Sequence, residues 1–240
     1  MKLSIAEVER RFSARANYLA VSFTVRNTFL RKAGHLPLGG RGPNAPGATE
    51  QNFGVMMLGL VASVQAKDIV AGYERVRAFK LDRGFLEKED GARERIEVEE
   101  LALVAGDPLE RVLLDYFKPC ALNPELFHLL ELRVDHSAVA PKAYVSVRET
   151  VAGNPPEIHR LEFWGPPAPS PPQTRDAVET SLRLCEHALM TMVDLFALTI
   201  QLPPANEFGP PVSADEPGSM IPDNLIDRHR APTRKRQKRA

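Results

Sequence analysis

The chain has 240 residues, 43% of them apolar, with 31 Lys and Arg balanced by 31 Asp and Glu, enough for one large or two small domains with a real core. No run approaches the roughly 20 apolar residues of a membrane helix, and the N-terminal MKLSIAEVERRF has no signal-peptide core. Cys120 and Cys185 are too few to staple a chain of this size, so membrane, secreted and disulfide-scaffold classes are excluded and a reducing cytoplasm is expected.

Ser4 is placed to cap a first helix, because Ile5, Val8 and Phe12 recur at spacings of three and four and Glu7 falls at the capping-box position. A second helix is predicted over residues 24–33. Val25, Phe29 and Leu30 are read as facing inward, Arg26, Asn27, Arg31 and Lys32 as facing outward, with Gly34 as the C-terminal cap. The Gly- and Pro-rich stretch LPLGGRGPNAPG, residues 36–47, reads as an exposed loop or small hairpin. Thr49 opens a helix, 53–64, so apolar all round that it belongs at the centre of the core. Another follows over 66–80, with Ile69, Val70, Tyr73 and Val76 as its buried stripe. Residues 81–106 are dense in charge and read as a solvated connector with one short strand at 95–98.

Asp107, Pro108 and Glu110 make a helix start, and that helix is expected to run to Phe117 and stop at Pro119. Three strand-like runs follow, 126–134, 142–149 and 157–164, separated by turn-rich segments, which predicts an antiparallel meander. A Pro-rich linker, 165–173, is expected to be extended. A long helix over 175–200 then carries Val178, Leu182, Cys185, Leu189, Met192, Val193, Phe196 and Ile200 as its apolar stripe. The fold class expected is therefore α+β. A helical, winged helix-turn-helix-like module occupies 1–80, a connector 81–106, and a module with a three-stranded antiparallel sheet and long C-terminal helix 107–202. Residues 203–240 have the composition of a disordered basic tail.

Catalytic signatures are absent. LGGRG, residues 38–42, lacks the GxGxxG spacing and follows no strand, and there is no phosphate loop or GxSxG elbow. His128 and His136 read as lying on one strand face, with His159 on a neighbouring strand. With no HExxH, no CxxC and no carboxylate pair beside them, ordinary strand or turn histidines account for them. Cys185 on an apolar stripe suits a small hydrophobe. No catalytic residue, metal or cofactor is assigned.

The positive signal is the N-terminal quarter. Thr24, Arg26, Asn27, Thr28, Arg31 and Lys32 on the second helix, with Arg41 and Asn44 in the loop, are residue types suited to DNA. Arg and Asn make bidentate contacts with base edges, while Thr and Lys fix register on phosphates. Arg26 and Asn27 are the candidates for base edges, and Arg31, Lys32 and Arg41 for phosphates; Arg41 and Asn44 would reach the backbone or minor groove as a wing does. An ordinary solvated helix face and a structural turn are the competing readings. Charge patterning supports the polyanion. Residues 1–50 carry a net +5 and residues 228–240 a net +7, so residues 51–227 hold −12.

The run from Phe29 to Pro37 (FLRKAGHLP) resembles the end of the recognition helix in MerR-type winged helix-turn-helix regulators, where an aromatic, polar and basic residues and then Gly-x-Leu-Pro lead into the wing. The resemblance covers about residues 1–80. It implies that GGRGPNAP, 39–46, is the wing and that 49–64 and 66–80 are the helix pair behind it. The same stretch is similar to small prophage-type regulators of alphaproteobacteria. Thr28 stands where the family usually carries Arg. The function expected is a sequence-specific, DNA-binding transcriptional regulator with double-stranded DNA as partner. If the long helix keeps one face uncovered, a homodimer reading two half-sites follows. An adaptor acting on RNA polymerase, or a small-molecule-binding module in the second half, are the alternatives.

Overall fold

The computed structural model describes residues 3–16, 19–38, 45–88, 91–136, 140–150, 155–166 and 181–200. Helix α1 spans Ile5–Arg15, and the Ser4 hydroxyl accepts the Glu7 N–H at 3.2 Å. The Glu7 carboxylate holds Arg10 and Arg11 at 2.7 and 2.6 Å. Helix α2, Ala20–Lys32, starts earlier than its apolar pattern suggests and is rotated from the expected setting. Phe23, Arg26, Asn27 and Leu30 are buried, whereas Val25 is 39% exposed. The rotation follows from Phe23, whose ring packs on Phe12 with centroids 4.4 Å apart and so fixes which side of α2 meets α1.

Helix α3, Glu50–Val61, opens with a capping box in which the Asn52 side chain accepts the Thr49 N–H at 2.9 Å and the Thr49 hydroxyl accepts the Asn52 N–H. Every residue from Asn52 to Val61 is buried, as its apolar sequence predicts. A 3₁₀ turn, Ala66–Asp68, leads into α4, Ile69–Arg77, which buries Ile69, Gly72, Tyr73 and Val76. Gly72 is required by close approach, because a Cβ there would lie 2.2 Å from the Ala62 carbonyl oxygen.

The charged stretch expected as a connector supplies two strands, β1 (Lys80–Glu87) and β2 (Arg93–Ile96). A bulge between Leu81 and Arg83 breaks the two-residue alternation of β1 and so hides it from the sequence. Helix α5, Leu109–Leu122, runs through Pro119 instead of stopping there. Proline removes one helical hydrogen bond, and burial of Phe117, Pro119 and Cys120 on the core side outweighs that loss. The meander is present as β3 (Phe127–Asp135), β4 (Lys142–Glu149) and β5 (Glu157–Trp164). The long helix is shorter than expected. Residues 181–185 form β6 (Ser181–Cys185), and α6 covers only Glu186–Ile200. Leu182 and Leu184 alternate against Val134 and Leu132 of β3, and this pairing covers an otherwise open edge. Cys185 is consequently exposed rather than part of a helical core stripe. The extended linker and basic tail expected over 165–173 and 203–240 fall largely or wholly outside the described residues.

The expected three-stranded sheet is six-stranded and antiparallel throughout, in the order β2-β1-β5-β4-β3-β6. Its inner face presents Leu129, Leu132, Val145, Val147, Leu161 and Phe163 to the helices. Phe196 of α6 meets Phe53 of α3 and Phe117 of α5 edge-on, at 5.4 and 5.5 Å between centroids. Arg15 of α1 reaches Asp194 of α6 at 3.2 Å. One hydrophobic cluster therefore runs from Leu3 to Phe196. No helix among the described residues is long and apolar enough to cross a membrane.

Gly72→Ala forces a methyl group against backbone that has no room to move. It is expected to cost about 1–3 kcal/mol, measured as a lower midpoint in urea denaturation followed by circular dichroism.

Candidate nucleic-acid interface

Helix α2 follows α1 after only four residues, 16–19, and its buried side is bolted on both flanks. The Arg26 Nε donates to Ser22 Oγ at 2.7 Å, and its Nη1 donates to the Gly59 carbonyl at 3.1 Å. That carbonyl belongs to the last turn of α3, which has no basic residue of its own there, so Arg26 supplies the cation that a helix C-terminus favours. Burial pulls the Arg26 guanidinium below its ordinary pKa. Asn27 is wholly buried, with neither amide atom bonded to a protein group. Arg31 pairs with Glu9 of α1, and both side chains are mostly buried.

Three of the eight residues read from the sequence as facing DNA are thus turned inward. Arg26, Asn27 and Arg31 were expected outside because they are polar. Arg26 and Arg31 lie inside because the end of α3 and the buried Glu9 need partners there, and Asn27 is carried in beside Arg26 on the same side of the helix. The outward side of α2 holds Thr24, Thr28 and Lys32, all exposed and each four residues from the next, with Val25 beside them. The Thr28 hydroxyl donates back to the Thr24 carbonyl at 2.9 Å. Past Lys32 the chain reverses at Gly34, whose φ of +84° is left-handed, and the His35 N–H returns to the Leu30 carbonyl at 2.9 Å. Leu36 is buried and Leu38 is 76% exposed. Arg41 and Asn44 lie outside the described residues. On the far side of that loop the Ala48 N–H donates to the Leu3 carbonyl at 2.7 Å, which ties the segment to the start of α1.

The three strand histidines go separate ways. His128 accepts from Arg148 and reaches Glu186 at 3.0 Å. His159 lies 3.4 Å from Glu157. His136 accepts from Arg75 at Nδ1, 2.8 Å, and donates from Nε2 to the Val61 carbonyl at 2.7 Å. Among the described residues no three His, Cys, Asp or Glu side chains are grouped to hold a metal. A shallow cleft of about 310 Å³ between α3 and α5 is lined by Glu50, Glu110, Arg111, Asp115 and Lys118. Its charges largely answer one another, Lys118 meeting Glu50 at 3.1 Å and Arg111 reaching Asp107 and Asp115. No family model, curated protein or solved structure matches the chain.

Two predictions separate structural from contacting residues. Arg26→Ala removes a buried charged hydrogen bond and is expected to cost about 2–3 kcal/mol of stability, read by thermal denaturation of the protein alone. His136 is held neutral, its pKa lowered first by burial and then by Arg75 and Arg26, against Val61 and Asp135, which favour its charge. An unfolded histidine takes a proton near 6.5, and the folded one resists it. Stability is therefore full above that pH and falls as pH drops below it. His136→Asn should be less stable at neutral pH and show a shallower loss on acidification, measured by urea midpoints across a pH series.

Proposed function

We propose that the chain is a DNA-binding regulator that reads duplex DNA with the outward stripe of α2. The observation that carries this reading is the division of α2 into a braced side and an open side. Phe23, Arg26 and Arg31 lock it to α1 and α3, while Thr24, Thr28 and Lys32 stand in solvent. A major groove admits one α-helix, and a reader helix needs such bracing to hold its register. Thr24 and Thr28 offer hydroxyls for phosphate or base edges and methyl groups for thymine, and Lys32 offers a phosphate contact. The likeness of residues 29–37 to winged helix-turn-helix regulators selects the same helix. In this reading Arg26 and Arg31 are struts, Asn27 is buried beside them, and the net +5 of residues 1–50 draws the module to DNA.

A second reading has the helical head bind a protein of the transcription machinery. The exposed Val25 and Leu38 favour it, being apolar side chains in the same head.

Selection of bound sequences from a randomised duplex library, followed by gel shifts, separates the two. A defined sequence should be enriched. Thr28→Ala should weaken its binding by roughly 5–100-fold, and Lys32→Ala should lower the salt slope by about one. No enrichment at moderate salt refutes the DNA reading.

A further inference from the structure

The sheet has a second face that the reading above does not use. Strand register sets Trp164 of β5 opposite Lys142 of β4 and Lys80 of β1. Tyr144 of β4 lies opposite Glu162 of β5 and Arg133 of β3, and Phe85 of β1 opposite Arg160. These side chains point away from the helices, because their strand neighbours Leu161, Phe163, Ala143 and Val145 point into the core. Three aromatic rings thus stand on one pleated surface, interleaved with basic residues.

Cations already sit over two of the rings. The Lys142 ammonium lies 4.1 Å from the Trp164 centroid, and the Arg133 guanidinium 4.4 Å from that of Tyr144. The carboxylates of this face are spent on pairs within it. Glu131 holds both Arg160 and Arg183, at 3.3 and 2.8 Å, and Glu162 holds Lys142 at 2.7 Å. Asp135 pairs with Arg133, Glu87 with Arg93 and Asp82 with Arg83. Lys80 and Arg95 are exposed beyond these pairs, and Arg183 keeps 64% of its side chain in solvent. The face is therefore net basic, on a stretch, residues 51–227, that carries −12.

Excess cations call for a polyanion, and the rings decide which kind. A duplex presents phosphates to a flat surface and keeps its base faces stacked inside, so the rings would do nothing for it. A single strand offers both charge and open base faces, and stacking on aromatic rings is what such strands seek on a protein. We infer that the outer sheet face binds single-stranded nucleic acid, with bases stacked on Trp164 and Tyr144 and phosphates held by the exposed Lys80, Arg95 and Arg183. This surface is separate from α2 and does not depend on the duplex reading. The competing occupant is the chain's own segment 201–227, which has five carboxylates and no Lys or Arg.

Trp164 is the only tryptophan in the chain, so its fluorescence reports on this face directly. The full chain is titrated with a fluorescently labelled oligothymidylate of about 20 nucleotides, with its RNA counterpart, and with a duplex of equal length. Single strands should quench Trp164, and the duplex should leave it unchanged. Followed by anisotropy, Tyr144→Ala and Trp164→Ala should each weaken single-strand binding about tenfold or more. Arg183→Glu, at a well-exposed position, should weaken it and reduce its salt dependence. Lys32→Ala should leave single-strand binding intact, so failure of the α2 reading and failure of this one are told apart. Absence of quenching by single strands, equal quenching by duplex, or affinity unchanged in both ring variants overturns the proposal. So does quenching by a peptide of residues 201–227 with none by oligonucleotide.

Discussion

A helix buried on every side has no water to receive the carbonyls of its last turn. Helix α3 meets that constraint by borrowing donors from distant parts of the chain. Arg26 comes from α2 to Gly59, and His136 comes from the end of β3 to Val61. Gly72 of α4 lets a second backbone pass against Ala62 with no side chain between them. Three elements therefore dock at one helix end, and their positions are set by that end's unmet hydrogen bonds as much as by apolar contact. The orientation of α2, and with it which residues face solvent, is set by this anchor together with the Phe12–Phe23 contact.

Where one level of information sufficed, the sequence was easy to read. The Ser4 and Thr49 caps, the burial of α3 and the limits of β4 and β5 follow from local residue types and simple periodicity. Harder elements were those in which a tertiary demand contradicts the local pattern. Polarity places Arg26 and Asn27 at the surface, yet both are buried and Arg26 anchors the helix. The pattern of Leu182 and Cys185 mimics a helical spacing, and only the open edge of β3 explains why a strand forms. The bulge at Asp82 and the in-helix Pro119 are similar cases, each a local signal overruled by neighbours far along the chain.

The candidate surfaces differ in the same way. Thr24, Thr28 and Lys32 lie within nine residues, and helical spacing alone puts them on one side. Phe85, Tyr144 and Trp164 are scattered over some eighty residues, and only the strand order brings them onto one sheet. Their sequence trace is faint. The alternation Lys142, Tyr144, Ser146 and Arg160, Glu162, Trp164 marks a row turned away from the helices, but says nothing of which strands adjoin.

That strand order also governs when the protein becomes itself during synthesis. Strand β1 finds its central partner β5 only some seventy residues later, and Phe53 of α3 waits for Phe196 of α6 to close its pocket. Until the ribosome has released that helix, α3 is an apolar rod without its cover and β1 holds only β2. The chain is thus biased toward late, concerted folding with high contact order. Its nascent N-terminal helices depend on the C-terminal ones for shelter, and a cut at their boundary would leave neither half with a complete core.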